Sequence, residues 1–237
     1  MSNKVEQLVE RISSHSYGCS PVSGNGFRDL EFVASIRGRD YNLKPIRQAR
    51  DVIIFGGGLS EWSKDMFCPY AWDDVTKAEP ALRELIQNHM NGRDIAYLLF
   101  EEDSPVGFFF LWGMTRKDSG LYVPELGEGI VDSHQGRGLG GFALDMLTEI
   151  ADVSEADAVE LTTDLRNEVA KKLYESRGYE LLGTIVNPLE IDQTKPLEEL
   201  KKARKFREEY HMARIFKNRK NVLDYLTKKR ERQNQLK

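Results

Sequence analysis

Three evenly spaced glycines, Gly136, Gly138 and Gly140, join a short apolar run at residues 129–131 to a helical pattern at residues 142–150. Glycine readily adopts positive φ angles, so such a loop can direct backbone N–H groups toward a ligand without obstruction by Cβ atoms. The first N–H groups of the following helix are unpaired and lie at the positive end of its dipole. The spacing therefore favours a binding site for a diphosphate, with a glycine-rich connector that binds nothing as the alternative.

A second pattern lies about 25 residues further along the chain. Residues 167–179 read Asn-Glu-Val-Ala-Lys-Lys-Leu-Tyr-Glu-Ser-Arg-Gly-Tyr, which predicts a helix that ends before Gly178. Asn167 is a favoured residue at a helix N-terminus, where its side chain accepts a backbone hydrogen bond. Tyr174 lies about two helical turns later, so it shares a helix face with Asn167.

The composition is that of a soluble globular protein, with 40% hydrophobic and 30% charged residues. No apolar run approaches the roughly 20 residues that a membrane helix needs, and the first residues are polar. We therefore expect a cytoplasmic protein without a membrane contact. Its two cysteines and four scattered histidines predict no disulfide framework and no metal site.

Apolar periodicity predicts a mixed α/β chain. Two apolar runs around a polar turn at residues 101–105 predict a β-hairpin whose faces are both covered. Residues 13–25 are rich in Ser, Gly, Pro and Asn and predict a loop. The other predicted elements are helices at residues 5–12, 48–55, 80–90, 141–151, 167–177, 191–207 and from 221 onward, and strands at residues 30–36, 41–46, 122–131, 158–163, 179–186 and 210–216.

This arrangement suggests three parts: an N-terminal helix and loop extension at residues 1–40, a main domain at 41–216, and a basic C-terminal helix at 217–237. Residues 195–237 contain 15 Lys/Arg and 6 Asp/Glu, a net charge of +9, so residues 1–194 carry −13 of the total −4. The acidic body could attract a cationic ligand such as an amine, or only keep the protein soluble. For the basic tail we expect a solvated helix face rather than a nucleic-acid contact. Its short apolar stripe could support a homodimer.

The two motifs together resemble the Gcn5-related N-acetyltransferase (GNAT) superfamily, over about residues 41–216. The superfamily's cofactor loop reads Gln/Arg-x-x-Gly-x-Gly/Ala, which Gln135, Gly138 and Gly140 match. Its next helix reads Asn-x-x-Ala-x-x-Leu-Tyr-x-x-x-Gly-Tyr/Phe, and residues 167–179 match every fixed position. The resemblance implies a mixed, mostly antiparallel sheet that splays in its middle, with helices on both faces.

The resemblance also implies acetyl-CoA as the co-substrate, with no metal. In the family, loop amides hold the diphosphate, and the splayed strand before the loop pairs its backbone with the pantetheine arm. These cofactor-binding roles fall on Ile130, Val131, Gln135, Gly136, Arg137, Gly138, Leu139 and Gly140. By the same resemblance, Asn167 would contact the arm through its side-chain amide. A helix N-cap is the equal alternative for Asn167, and one residue can do both.

The implied reaction is acetyl transfer to a primary amine by direct attack. The Tyr174 hydroxyl would protonate the CoA sulfur, with a core tyrosine as the alternative. An amine with a pKa near 10 must first lose a proton, and a carboxylate can help. Glu125 stands ten residues before Gln135, where lysine acetyltransferases of the family often have such a glutamate. Glu128 would point to the opposite face of the strand, so at most one of the two serves, and a solvated strand end is the alternative for both.

The amine acceptor stays open between a protein N-terminus, a lysine and a small cationic amine. The aromatic segment 62–72 and the insertion 187–209 are the expected specificity elements, with core packing as the alternative for the aromatic segment. A hypothesis from another class is a non-catalytic CoA-binding regulatory module that docks on RNA or a protein through the basic tail.

Overall fold

The computed structural model describes residues 3–15, 17–67, 69, 70, 72, 74–188 and 206–235. Within it, the chain forms two compact units, residues 1–156 and 157–237. Cys68 and most of the predicted helix 191–207 lie outside the described residues. The division into parts 1–40, 41–216 and 217–237 stays a prediction.

The first unit contains an antiparallel sheet whose six strands follow one another in chain order. Its strands are β1 Gly18–Ser23, β2 Glu31–Ile36, β3 Arg39–Pro45, β4 Ile95–Glu101, β5 Ser104–Trp112 and β6 Glu125–Ile130. Its helices are α1 Asn3–Ser14, α2 Ala49–Gly57, α3 Glu61–Met66, α4 Val75–Met90 and α5 Leu139–Val153.

The second unit contains three strands and two helices in its described residues. They are β7 Ala158–Asp164, α6 Glu168–Ser176, β8 Glu180–Pro188, β9 Phe206–Ile215 and α7 Arg219–Asn234. The last strand, β9, lies between β7 and β8 and is antiparallel to both. Among the described helices, none has the length and apolarity that crossing a bilayer requires.

Aromatic contacts show that helices cover both faces of the first unit's sheet. The ring of Phe55 on α2 packs against Phe108 on β5, with 5.9 Å between the ring centroids. On α5, Phe142 packs against Phe32 of β2 at 6.1 Å. The strand register from β2 through β3 and β4 to β5 places Phe32 on the face opposite Phe108. The predicted mixed α/β, mostly antiparallel fold is confirmed. The predicted splay of the sheet would separate β6 from β7, which belong to different units, and it stays a prediction.

The prediction of a loop at residues 13–25 is wrong, because β1 forms within it and pairs with β2. This strand has little apolar alternation and contains Pro21, whose ring nitrogen cannot donate to a neighbouring strand. An edge strand tolerates both features, since only one of its sides is paired. Backbone pairing with β2, rather than side-chain pattern, therefore forms this strand.

Candidate active site

The glycine loop, residues 135–140, follows β6 after a single 3-10 turn at Asp132–His134. Gly136 and Gly138 have φ angles of +74° and +90°, in the left-handed region that favours glycine. A Cβ atom on Gly136 would meet no other atom within 4 Å, so there is open space beside it. The loop therefore has the backbone geometry and the room to bring its amides to a ligand.

Helix α5 starts at this loop without a side-chain cap. Gly138 is its N-cap residue, and no side chain of the described chain caps it. The Phe142 N–H donates to the Gly138 carbonyl at 3.1 Å, which is the first hydrogen bond of the helical ladder. The amides of residues 139–141 come before it, so the helix offers them no carbonyl four residues earlier. They lie at the positive end of the helix dipole, which favours an anion. Leu139 is buried and fixes the first turn of the helix against the core.

Helix α3 holds the turn before the glycine loop through Asp132. The Asp132 carboxylate accepts hydrogen bonds from the Ser60 amide at 2.9 Å, the Ser60 hydroxyl at 2.7 Å and the Ser63 hydroxyl at 3.0 Å. Burial by itself would raise the pKa of Asp132, but these hydrogen bonds together lower it. The carboxylate therefore stays ionised at neutral pH and ties the turn to α3.

Gln135 bonds back to the strand that precedes it. Its Nε2 donates to the Ile130 carbonyl at 3.1 Å and to the Ser63 hydroxyl at 3.3 Å. The Val131 N–H donates to the Val106 carbonyl of β5 at 3.0 Å, so by alternation the polar backbone groups of Ile130 point away from β5. The Ile130 carbonyl, one of the predicted pantetheine contacts, thus accepts a side-chain hydrogen bond in this structure.

The end of β4 supplies a second anchor through its last residue, Glu101. His134 Nε2 lies 2.8 Å from Glu101 Oε2, and an Arg137 nitrogen lies 3.6 Å from the other carboxylate oxygen. Arg137 also donates to the Ser133 carbonyl at 2.7 Å. The hydrogen bond from His134, together with the nearby arginines, lowers the pKa of Glu101. The predicted cofactor residue Arg137 is therefore held between Glu101 and the 3-10 turn that precedes the loop.

The β2–β3 turn supplies a third anchor, where Arg37 donates to the Gly136 carbonyl at 2.9 Å. The glycine loop is thus held from three sides by Ser60 and Ser63, by Glu101, and by Arg37. None of the hydrogen bonds described for these anchors uses the amides of residues 136–141. The loop is therefore anchored at several points, and these contacts leave its amides for a ligand.

Glu125 and Glu128 lie on opposite faces of β6, as predicted. Glu125 pairs across the sheet with Trp112 and Glu128 with Phe109. Glu125 therefore shares its face with Phe108 and Phe55, on the side that α2 covers.

An aromatic cluster covers this same face of β5 and β6. It consists of Phe55, Phe67, Tyr70, Trp72, Phe108, Phe110 and Trp112. A Cβ atom on Gly127 would lie 2.0 Å from the Phe110 ring, and one on Gly129 would lie 2.5 Å from Phe67. Glycine is required at both positions because the rings rest on the strand backbone. Burial raises the pKa of Tyr70 above its usual range.

The predicted specificity segment 62–72 contributes Phe67, Tyr70 and Trp72 to this cluster. All three residues are only partly buried, so the rings pack within the cluster while a role in acceptor specificity stays a prediction. Trp62, by contrast, is 56% exposed on α3.

The two predicted residues of the second unit lie on α6. Asn167 is the N-cap, and its Oδ1 accepts a hydrogen bond from the Ala170 amide at 3.2 Å. This bond leaves the amide nitrogen of Asn167 with donors that the cap does not use. Tyr174 is 7% exposed, and its ring centroid lies 6.1 Å from that of Tyr179. The N-cap role of Asn167 is therefore observed, and its contact with a ligand stays a prediction.

A sequence profile of the acetyltransferase (GNAT) family matches residues 59–179, more than half of the chain. The chain belongs to this family. It is therefore an acyltransferase of the N-acetyltransferase type. The match contains the glycine loop, Glu125, Asn167 and Tyr174, and it confirms the resemblance on which their predicted roles depend.

Solved structures share the fold of this GNAT chain. Mycobacterium smegmatis RimJ in complex with CoA-disulfide has a TM-score of 0.57 and 15% identity over 83% of this chain and 86% of that one. RimL, a ribosomal L7/L12 alpha-N-protein acetyltransferase, has a TM-score of 0.56 and 14% identity over 84% of this chain and 100% of that one. The GNAT domain of S. lividans PAT has a TM-score of 0.55 and 14% identity over 82% of this chain and 100% of that one. No curated protein matches the chain.

Sequence reasoning about this GNAT chain missed the residues that hold the loop. Ser60, Ser63, Glu101 and Arg37 lie between about 30 and 100 residues before it. The one available signal was Ser60, an N-cap residue type before a short helical stretch. Among the described residues, no group of His, Cys, Asp and Glu could hold a metal ion.

Proposed function

We propose that this GNAT chain transfers an acetyl group from acetyl-CoA to a primary amine. The observation that carries the proposal is the uncapped start of α5 beside Gly136 and Gly138, held from three sides. The amides of residues 136–140 would bind the diphosphate, since a concave set of N–H groups at a helix N-terminus suits it. The open space beside Gly136 leaves room for a ligand next to these amides. Acetyl-CoA, when bound, supplies the thioester carbonyl that an amine attacks.

Three side chains would serve the reaction. Glu125 would accept a proton from the ammonium group of the acceptor, directly or through water, so that the nitrogen can attack. As the C–N bond forms and the C–S bond breaks, Tyr174 would donate its hydroxyl proton to the leaving sulfur, and the proton that the acylated nitrogen then loses would restore the hydroxyl. Asn167 would donate its side-chain N–H to the pantetheine arm while its oxygen caps α6.

The acceptor belongs to one of three classes: a protein N-terminus, a lysine side chain or a small cationic amine. RimL, with a similar fold, is an alpha-N-protein acetyltransferase, which makes a protein N-terminus the first class to test. The likeness at 14% identity concerns the fold, so all three classes enter the assay. A cytoplasmic location and a homodimer remain part of the proposal.

Turnover tests the proposal against a non-catalytic CoA-binding module. The purified chain is mixed with acetyl-CoA and one member of each acceptor class, and release of free thiol is followed with a chromogenic reagent. Thiol release that depends on one acceptor, with the acetylated product seen by mass spectrometry, is the expected result. Tight binding of acetyl-CoA without thiol release for any acceptor would contradict the enzymatic role and favour the module.

A Gly138→Ala substitution tests the glycine loop. Alanine at a φ of +90° is strained by roughly 1–2 kcal/mol, and its Cβ would lie 3.2 Å from Arg37 Nε. We expect at least a tenfold weaker affinity for CoA in isothermal titration calorimetry, since the amides are displaced. Gly120→Ala is the matched control, because Gly120 has a φ of +77° and open space around it. Equal CoA affinity in both variants would contradict the assignment of the diphosphate to this loop.

A Glu125→Gln substitution tests the proposed base. Without the carboxylate, the acceptor must lose its proton in bulk water, where the pKa is near 10 for a lysine or an alkylamine and near 8 for a protein N-terminus. We expect kcat/KM at neutral pH to fall about tenfold or more, and the pH–rate profile to move toward higher pH. Glu128→Gln, on the opposite face of β6, is the control and should leave the profile in place. A profile that does not move in Glu125→Gln removes this residue as the base.

A further inference from the structure

The turn between β2 and β3 has an unusual residue in a strained position. Arg37 and Gly38 have φ angles of +51° and +77°, and the flanking residues Ile36 and Arg39 pair with each other. Two central residues with positive φ define a type I′ hairpin turn, in which Asn, Asp or Gly is preferred at the first position. A long side chain there costs conformational free energy, so the geometry of the turn does not explain why an arginine occupies this position.

The Arg37 side chain reaches from this turn to the glycine loop. One Nη donates to the Gly136 carbonyl at 2.9 Å. Its Nε lies 3.2 Å from the position that a Cβ atom on Gly138 would take. The guanidinium therefore lies beside both positive-φ glycines, and this hydrogen bond uses one of its five N–H donors. The remaining donors are not used by this hydrogen bond and belong to a guanidinium that lies against the loop.

The charge of Arg37 is not neutralised within the part of the chain that the structure describes. Arg39, on the same hairpin, lies 3.4 Å from Glu101, and Arg137 shares that carboxylate. No carboxylate of the described residues forms an ion pair with Arg37, which is exposed. An unpaired guanidinium beside free amides is an arrangement that suits a planar, bidentate contact with phosphate oxygens.

We propose that Arg37 is a phosphate-binding residue that contacts the diphosphate of CoA at the glycine loop. This inference rests on the proposed function, because it takes CoA as the ligand. It assigns part of the cofactor site to a hairpin about 100 residues before the loop, in a segment that the family profile does not cover. The loop amides would bind the diphosphate from one side and the guanidinium from the other.

An Arg37→Asn substitution separates this role from a structural one. Asparagine suits the left-handed turn, so the variant should fold with an equal or higher Tm. Its affinity for CoA in titration calorimetry should fall about tenfold, as expected for loss of a charge-assisted hydrogen bond. Dephospho-CoA, which keeps the diphosphate, should lose affinity by the same factor. The salt dependence of CoA binding should also become weaker than in the wild type.

Arg83→Gln is the control for loss of one positive charge. Arg83 is exposed on α4 and pairs with Glu79 at 2.6 Å, so CoA affinity should not change. The proposal is overturned if Arg37→Asn binds CoA as the wild type does, or binds more weakly with unchanged salt dependence, since the side chain would then only shape the loop. Loss of affinity for CoA but not dephospho-CoA would move the contact to the 3′-phosphate and also overturn it. If the wild-type chain does not bind CoA, the proposed function fails, and this inference fails with it.

Discussion

A Tyr174→Phe variant is expected to lose at least about a hundredfold in kcat, within the range that general acids contribute, while its CoA affinity stays within about twofold. The substitution removes only the hydroxyl that would protonate the leaving sulfur. The ring stays in its buried site, 6.1 Å from that of Tyr179, so the packing of α6 is kept. The measurement is kcat from thiol release, alongside CoA binding by titration calorimetry.

Tyr179→Phe is the matched control for this variant. Tyr179 is 3% exposed and adjacent to Tyr174, and the family motif accepts either aromatic residue at its position. We expect its kcat to stay near that of the wild type. Unchanged turnover in Tyr174→Phe would remove the acid role, and equal losses in both variants would assign the effect to packing of the tyrosine pair.

The sequence could predict those parts of the site whose residues all lie within one continuous segment of the chain. The glycine loop and the start of α5 need only local rules: glycine for positive φ and unpaired amides at a helix start. The N-cap role of Asn167 likewise depends on a backbone amide three residues away. Such features are encoded locally, so a single sequence suffices for them.

The parts that could not be predicted depend on contacts between distant segments. Arg37 reaches Gly136 across 99 residues, and Ser60 reaches Asp132 across 72. No periodicity in the sequence signals which surface arginine or serine will meet the loop once the sheet has formed. The strand β1 could not be predicted for a related reason: it forms by pairing with β2 in the folded chain, and its own composition does not indicate a strand.

A buried charge cluster in the second unit was missed in the same way. Glu160 lies on β7, where the sequence predicts only an alternating strand, and its side chain is 3% exposed. The Lys229 ammonium on α7 and the Nε2 atom of the fully buried His211 each lie 3.0 Å from its Oε2. Burial by itself would raise the pKa of Glu160, but Lys229 and His211 lower it. A helix whose basic residues were expected to form a solvated face thus carries one lysine that pairs with a buried carboxylate.

Lys229→Met is therefore expected to lower the free energy of unfolding by about 3–5 kcal/mol, because it leaves a buried carboxylate without its main counter-charge. Lys229 lies on the same face of α7 as the buried Val222 and Leu226, so methionine can still pack there. Urea denaturation at pH 8 gives the measurement. Lys228→Met, an exposed neighbour with the same change of side chain, should stay within about 0.5 kcal/mol of the wild type.

The pH dependence of this loss follows from the protonation of Glu160. In the wild type its pKa lies below the ordinary value of 4.5, so its stabilisation is present above that value and is lost as the pH falls through the lower folded value. In Lys229→Met we expect the pKa of Glu160 to be higher than in the wild type, because burial raises it and Lys229 no longer lowers it, so the carboxylate should bind a proton more readily. The loss should therefore be largest at pH 8 and shrink toward pH 5, and a Glu160→Gln substitution in the Lys229→Met background should recover part of it. Equal stability of Lys229→Met and Lys228→Met at pH 8 would show that the carboxylate does not depend on this lysine.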